Sequence, residues 1–210
     1  MIIVVDYGMG NLRSVSKALE SLGASVRVSS DPSDVARADK LILPGVGAFP
    51  AAMRELSSRK LVEPIKGAIA SGKPYLGICL GLQLLFDRSK EGEGAAGIGV
   101  LPGVVKRFAP TPGFKIPHMG WNQITRSQKA EGRSQNECPL LKGIKEESFV
   151  YFVHSYYADP VDRAVVALEA DYGGLFTAMI WRDNLFATQF HPEKSQTVGL
   201  KLLENFIKLS

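Results

Sequence analysis

Residues 75–86 of the chain, YLGICLGLQLLF, place one cysteine between two glycines at the junction of two apolar runs. The run up to Ile78 is typical of a buried strand, and the run after Cys79 has the spacing of an amphipathic helix. A strand, Gly-x-Cys-x-Gly and a helix follow the plan of a nucleophile elbow, a sharp turn whose neighbours must be small. We therefore predict that Cys79 lies above the carboxyl edge of a sheet, where open α/β folds bind ligands. A buried structural cysteine is the alternative.

The residues before this stretch alternate between strand-like and helix-like segments. Residues 2–5, 25–28, 40–45 and 74–78 have the pattern of buried strands. Helical spacing occurs between them, with Asn11 and Asp31 as N-caps of the first two helices. This alternation predicts an α/β fold with an open, mostly parallel sheet and helices on both faces, as in flavodoxin-like proteins.

The second half of the chain consists of short strand candidates and a final helix. Their spacing favours antiparallel hairpins that extend the parallel core. Residues 126–138 are polar and lack apolar periodicity, so we expect a mobile surface loop there, in which Cys138 is an incidental thiol. The strand candidates are GVVKRF, WNQIT, SFVYFVH, AVVALEA, LFTAMIW and NLFATQF.

Composition limits the class of protein. A chain of 210 residues with 45% apolar and 22% charged residues is expected to form a single domain over residues 1–210. The net charge of +4 is spread along the chain, so we do not expect nucleic-acid binding. Two cysteines indicate a reducing, cytoplasmic compartment, and no residues have metal-ligand spacing. The N-terminal apolar run is typical of a core strand, not a secretory signal, and no run is long enough to span a membrane.

A cysteine nucleophile needs a base and a group that orients it. His191 follows a buried-strand pattern and precedes Pro192, and Glu193 is close enough to orient its ring. We therefore predict a Cys79-His191-Glu193 triad, although His191 alone would more often have a structural or surface role. The helix after Cys79 is expected to direct its positive N-terminal end at the sulfur.

An oxyanion hole is predicted from two segments. The amide of Leu80 follows the nucleophile, and the glycine-rich loop after the third strand supplies Gly45, Val46 and Gly47. An ordinary strand-to-helix turn is the alternative for that loop. Gln83 lies one helical turn after Cys79 and is expected to face the same pocket. We expect His118 and His154 to have structural hydrogen bonds, not catalytic roles.

The motifs GICLGLQ, HPE and PGVGAF together resemble the class I (triad) glutamine amidotransferases, over essentially the whole chain. The resemblance implies hydrolysis of glutamine to glutamate and ammonia through a glutamyl thioester on Cys79, without a cofactor. His191 would transfer protons and Glu193 would orient it. An amide of the 44–47 loop, after a flip of its peptide, would complete the oxyanion hole. Gln83, Ser155 and Tyr156 match positions that bind glutamine.

Within this family, the stretches DYGMGNLRSV, PHMGWNQ and YFVHSYY resemble the glutaminase subunits of histidine biosynthesis. The resemblance implies a heterodimer with a (β/α)₈-barrel cyclase subunit, which uses the ammonia to make imidazole glycerol phosphate and an aminoimidazole carboxamide ribonucleotide. The polar stretch 126–138 is longer than is usual in the family. The implied contacts with the partner are Met9, Asn11, Trp121, Asn122, Tyr151 and Lys194.

A partner is also expected on chemical grounds. Ammonia is mostly protonated at neutral pH, and ammonium is not a nucleophile, so a dry path to a second site is needed. The alternatives are a paralogous glutaminase that serves surface-polysaccharide synthesis, a catalytically inactive regulatory subunit, and a cysteine hydrolase that works without a partner. The vitamin B6 glutaminases fit less well, because their substrate loop differs from PGVGAF.

Overall fold

The computed structural model describes residues 1–92, 94–127 and 138–209. One half of its nine-stranded sheet is parallel, with strand order β2-β1-β3-β4-β12. These strands are β1 (Ile2–Val5), β2 (Val26–Ser29), β3 (Lys40–Gly45), β4 (Tyr75–Cys79) and β12 (Leu185–Thr188).

Helices cover both faces of the parallel strands. Alternate residues of β1 belong to two separate cores: Val4 packs in one with residues of α1 and α6, and Val5 packs in the other with residues of α2, α3 and α4. This two-sided burial explains why these strands are continuously apolar. The helices are α1 (Leu12–Ser21), α2 (Pro32–Arg37), α3 (Phe49–Ser58), α4 (Val62–Ala70), α5 (Leu80–Gln83) and α6 (Gln196–Ile207).

The other half of the large sheet is antiparallel and continues from β12 in the order β11-β10-β7-β8. A second sheet has the order β5-β6-β9. Within the described residues no helix is both long and apolar enough to cross a membrane. The remaining strands are β5 (Phe86–Ser89), β6 (Leu101–Arg107), β7 (His118–Arg126), β8 (Ser148–His154), β9 (Tyr156–Pro160), β10 (Val166–Asp171) and β11 (Leu175–Arg182).

The predicted fold class is confirmed, including the antiparallel extension of a parallel core. Asp31 accepts a hydrogen bond from the amide of Ser33 and caps α2 as expected. Asn11 occupies the N-cap position of α1, but its side chain makes no capping hydrogen bond. The expectation of a capping side chain at Asn11 was therefore wrong.

The predicted helix after Cys79 was too long. Only Leu80–Gln83 is helical, and Phe86 already begins β5. All the residues from Leu80 to Phe86 are buried, so their apolar character reflects burial on every side and not one helix face. A short apolar run without a polar face cannot distinguish a helix from a strand. Strand β9 was not predicted.

Strand β12 was expected as part of an added antiparallel hairpin. It does form a hairpin with β11, through a two-residue turn at positions 183–184, but its other neighbour is β4, to which it is parallel. It is therefore the last strand of the parallel core, which agrees with the burial of all four of its residues.

The ends of the polar stretch 126–138 differ from the surface loop that was predicted. Arg126 belongs to β7, and Cys138 is buried within a core cluster. Burial also raises the pKa of the Cys138 thiol to about 12, so it is a core side chain. Residues 128–137 lie outside the described residues, and the prediction of mobility there is untested.

Candidate active site

The turn at Cys79 has the strained geometry of a nucleophile elbow. Its backbone has φ 55° and ψ −107°, a region that residues with a Cβ rarely adopt. The flanking glycines are required by close approach: a Cβ on Gly81 would lie 1.9 Å from the carbonyl oxygen of Leu43, and a Cβ on Gly77 would lie 2.7 Å from that of Gly81. The sequence therefore places the thiol at the carboxyl end of β4 by a turn that only small neighbours permit.

The helix after the elbow gives Cys79 little electrostatic help. Because α5 has only four residues, the aligned peptide dipoles that were expected to act on the sulfur are few. Side chains must therefore supply most of the stabilisation of a thiolate. The Cys79 sulfur lies 3.7 Å from Nε2 of Gln189 and 3.9 Å from the carbonyl oxygen of Val153.

His191 and Glu193 form a buried pair beside Cys79. The main chain leaves β12, and Pro192 begins a single 3-10 turn, Pro192–Lys194, which brings Glu193 back against the ring. Nδ1 of His191 lies 2.9 Å from Oε1 of Glu193, and both side chains are almost completely buried. Nε2 of His191 is buried without a hydrogen-bond partner among the described residues. The Nδ1 contact orients the ring so that Nε2 is free for another group.

The charge state of His191 follows from its neighbours. Burial lowers its pKa, but the Cys79 thiol and the Glu193 carboxylate outweigh burial and raise the pKa to about 10. The protonated ring is therefore favoured near neutral pH, and an imidazolium stabilises an adjacent thiolate.

A cavity of about 370 Å³ contains these groups. Such a volume suits a ligand the size of an amino acid. The structure places Glu193 behind His191, outside this lining, and Gly45 at the end of β3, where a Cβ would lie 2.4 Å from the Tyr7 hydroxyl. The predicted site residues that line the cavity are Val46, Gly47, Cys79, Leu80, Gln83, Ser155, Tyr156 and His191.

Gln83 is more constrained than was predicted. Its Nε2 donates to the carbonyl oxygen of Tyr156, at 2.9 Å, and to Oε1 of Gln189, at 3.1 Å. Both amide hydrogens are therefore used inside the protein, and only the side-chain oxygen is left to contact a ligand.

His118 and His154 form a buried, neutral pair. Nδ1 of His154 contacts the carbonyl oxygen of Tyr156 at 2.8 Å, so that nitrogen carries the hydrogen, and Nε2 then accepts from Nδ1 of His118 at 3.1 Å. Burial lowers the pKa of His118 to about 4 and that of His154 to about 3. These hydrogen bonds match the structural role that was expected.

Glu91 was not predicted from the sequence; it is the only carboxylate among the described residues that line this cavity. Its Oε2 accepts a hydrogen bond of 2.8 Å from the amide of Phe49, at the start of α3. Glu91 therefore links the cavity to the helix that follows the 44–47 loop. Gln189 was also missed, because a glutamine inside a buried strand has no motif of its own.

Three of the predicted partner contacts form one cluster near the cavity. Trp121 of β7 lies directly opposite Tyr151 of β8, with ring centroids 6.0 Å apart, and Nζ of Lys194 lies 5.8 Å from the Tyr151 ring. The Tyr151 carbonyl accepts from the amide of His191 at 3.0 Å. This cluster therefore adjoins the catalytic segment.

The other three predicted contacts are dispersed. Met9 packs beside the 44–47 loop, since a Cβ on Gly47 would lie 2.9 Å from its methyl group. Asn11 precedes α1. The side chain of Asn122 donates to the carbonyl oxygen of Asp171 at 2.8 Å, so it is already engaged within the chain.

Comparison with known proteins places the chain in one family. The family model described as "Glutamine amidotransferase class-I" matches residues 3–209. A solved structure described as a glutamine amidotransferase superimposes with a TM-score of 0.74 at 18% identity, over 99% of this chain and 98% of that one, which is a likeness of fold.

Curated relatives are similar over their whole length. A protein of Syntrophotalea carbinolica is 53% identical over 214 residues, with 98% of each chain covered. A protein of Microcystis aeruginosa is 51% identical over 209 residues, which cover 99% of this chain and 95% of the other. Both are named imidazole glycerol phosphate synthase subunit HisH.

Proposed function

The chain belongs to the class I glutamine amidotransferases, and from this we propose that it is the glutaminase subunit of an imidazole glycerol phosphate synthase. It hydrolyses glutamine to glutamate and ammonia, and the ammonia serves histidine biosynthesis. The observation that supports the proposal most strongly is that one cavity contains both the Cys79 thiol, on a strained turn, and the buried ring of His191, which Glu193 orients. The full-length relatives indicate which synthase is served.

In the first half of the reaction, the sulfur of Cys79 attacks the side-chain amide carbon of glutamine. The carbonyl electron pair moves onto oxygen, where the amide of Leu80 and an amide of the 44–47 loop stabilise the negative charge. The protonated His191 then gives its Nε2 proton to the amide nitrogen. The C–N bond breaks, ammonia leaves, and a glutamyl thioester remains on Cys79.

In the second half, the neutral ring of His191 takes a proton from water as that water attacks the thioester carbon. The C–S bond breaks, glutamate is released, and the thiolate and imidazolium form again. Glu193 keeps Nδ1 protonated and the ring in place through both halves, because its Oε1 contacts that nitrogen at 2.9 Å.

The remaining polar groups of the cavity suit the amino-acid end of glutamine. Glu91 supplies a carboxylate for the α-ammonium group, and the Gln83 side-chain oxygen is a second acceptor. Ser155 and Tyr156 also line the cavity, and we expect this segment to supply donors for the α-carboxylate. A substrate held at both ends presents its amide carbon to the sulfur.

The partner is a (β/α)₈-barrel cyclase subunit, with which the chain forms a heterodimer. The exposed side of the β7–β8 edge supports this proposal, because it carries large apolar side chains next to the cavity: Met119 is 62% exposed, Trp121 46% and Phe149 53%. Solvent-exposed apolar clusters of this kind mark protein interfaces. Val153 of the same edge also lines the cavity, so a partner docked here would cover the route by which ammonia leaves.

The variant Cys79→Ala tests the assignment of the nucleophile. We expect glutamate release to fall by at least a thousandfold, while binding to the cyclase, measured by calorimetry, is unchanged, because the buried Cys79 side chain offers almost no surface to a docked partner. Cys138→Ala is the matched control and should keep its activity if it folds. Substantial glutaminase activity in Cys79→Ala would rule out the proposed mechanism.

A further inference from the structure

The side chain of Gln189 is completely buried and lies against the sulfur of the nucleophile. It has no exposed surface, and its Nε2 is 3.7 Å from Sγ of Cys79. A buried carboxamide must have hydrogen-bond partners, because an unpaired one costs about 1–3 kcal/mol. The identity of the atom that faces the sulfur therefore matters.

The orientation of this amide follows from a fixed point in the main chain. The carbonyl oxygen of Tyr156 can only accept, so the side chain of Gln83 must present its NH₂ group to it. The same nitrogen of Gln83 faces Gln189 at 3.1 Å, so Gln189 must present its oxygen. The NH₂ group of Gln189 is then the one left to face Cys79.

A donor at this position favours one form of the thiol. A thiolate accepts hydrogen bonds much more strongly than a neutral thiol does. Since α5 has only four residues, Cys79 lacks the long helix dipole that was expected to serve this purpose. The Gln189 side chain has no exposed surface, so water does not compete with it for a hydrogen bond to the sulfur on this side.

We propose that Gln189 stabilises the thiolate of Cys79 through a side-chain N–H···S hydrogen bond, and that Gln83 is the positioning residue that fixes the orientation of this donor. The inference rests on the proposed role of Cys79 as the nucleophile. It assigns to Gln189 a function in the active site and not only in packing.

Several titratable groups surround the sulfur besides this donor. His191, after β12, supplies a positive charge, and Glu193 acts through it. His154, at the end of β8, is kept neutral by burial and lines the same cavity. Tyr7, after β1, is buried. Its pKa is raised mainly by burial and to a smaller extent by the nearby Cys79. A substitution at position 189 removes none of these groups.

The pH dependence of alkylation tests the proposal. The rate at which iodoacetamide modifies Cys79 is measured from pH 5 to 10 by mass spectrometry of the Cys79 peptide, in the wild type and in Gln189→Met. Methionine has a similar volume and no donor, so we expect the midpoint to rise by about one pH unit and the rate below the midpoint to fall about tenfold. Gln83→Met should shift the midpoint in the same direction by less.

Thr188→Val is the matched control. It removes a buried hydrogen bond, from Oγ1 of Thr188 to the carbonyl oxygen of Phe190, next to Gln189 in the chain. The midpoint should stay within 0.3 of a pH unit of the wild-type value, which separates loss of the donor from loss of a buried hydrogen bond in general.

A folded Gln189→Met protein with an unchanged midpoint overturns the proposal. If that variant does not fold, Gln83→Met decides, because it leaves Gln189 in place but removes the contact that orients its NH₂ group, and an unchanged midpoint there also overturns the proposal. The assay needs neither glutamine nor a partner. A shifted midpoint in a chain that never uses glutamine would uphold the role of Gln189 and overturn the proposed function.

Discussion

At the scale of single residues, the backbone is strained at Cys79, the proposed nucleophile. Cys79 has φ 55° and ψ −107°, and residues in such regions cost about 1–3 kcal/mol. The strain persists because β4 and the tightly packed glycines on either side determine the path of the chain. The backbone conformation that places the Cys79 thiol in the cavity therefore lowers the stability of the fold.

This strain predicts that glycine is more stable than alanine at position 79. Glycine adopts the observed backbone conformation without a clash, which should outweigh its larger unfolded-state entropy. We expect Cys79→Gly to unfold at a higher denaturant concentration than Cys79→Ala, with a difference of about 1 kcal/mol. Urea titrations of both variants measure it, and a less stable glycine variant would contradict the account of strain.

The neutral pair of His118 and His154 predicts a loss of stability in acid. Both pKa values are lowered by burial, to about 4 and about 3, whereas a histidine in the unfolded chain titrates near ~6.5. Between these values the unfolded state binds more protons, so the free energy of unfolding falls as pH falls from about 6.5 towards 4. Each ring contributes on the order of 1.4 kcal/mol per pH unit there. Below about pH 6.5, His191 adds nothing, because it is protonated in both states.

Urea titrations at pH 7 and pH 5 test this for the wild type and for the double variant His118→Gln, His154→Gln. Glutamine can replace the buried hydrogen bonds without titrating, so the variant should lose less stability than the wild type between the two pH values. An equal loss in both proteins would show that the acid sensitivity arises elsewhere.

At the scale of elements, the first four strands of the parallel core and their alternation with helices could be predicted from sequence, whereas β12 was expected only as part of an antiparallel addition. Buried strands such as β3 are continuously apolar, and the helices between them keep a polar face, so the two patterns differ clearly. A triad of Cys79, His191 and Glu193 was predicted from glycine spacing and from the position of Pro192, and the structure brings these three residues together. Their catalytic roles stay a prediction.

The elements that were missed share a physical reason. Residues from Leu80 to Phe86 are all buried, and a run in which Gln83 is the only polar residue has too little contrast to show a helical or a strand period. Strand β9 has only five residues, and its partner β6 is distant in sequence. Glu91 and Gln189 were missed because their roles depend on which other elements lie beside them.

The contact between the elbow and β3 predicts a severe effect of Gly81→Ala. The new Cβ would lie 1.9 Å from the carbonyl oxygen of Leu43, which is main chain and cannot move away cheaply. We expect a loss of on the order of 3 kcal/mol in the free energy of unfolding, and loss of activity. Gly67→Ala, in α4 with no atom near the new methyl group, is the control and should be neutral or stabilising by up to about 1 kcal/mol. Equal stability of the two variants would contradict this packing argument.

At the scale of the whole molecule, the large sheet joins the catalytic centre to the proposed interface. The proposed catalytic residues follow strands β4 and β12, and the exposed apolar side chains lie on β8, the last strand of the sheet, and on its neighbour β7. The backbone of Tyr151 connects the two regions directly, since its carbonyl accepts from the amide of His191. A partner bound at this edge would therefore contact the segment that holds the catalytic histidine.

Trp121 predicts an effect on association. Removing this partly exposed ring should weaken binding to the cyclase by about 2 kcal/mol, or roughly thirtyfold, because large aromatic side chains dominate interface energies. The free energy of unfolding of the isolated chain should change little. Leu175→Ala, on β11 with 59% exposure, is the control for loss of an exposed apolar side chain. Equal binding by Trp121→Ala and the wild type would move the interface elsewhere.

Measuring glutamate release from glutamine tests whether this chain is a glutaminase that supplies ammonia to a cyclase. The chain is assayed alone, with the (β/α)₈-barrel cyclase, and with the cyclase and its ribonucleotide ligand. The account predicts little release by the chain alone and release increased at least a hundredfold in the complete mixture, with one ammonia incorporated per glutamate formed. Full activity of the chain alone that does not respond to the cyclase would contradict it, and so would the absence of glutamate in all three mixtures.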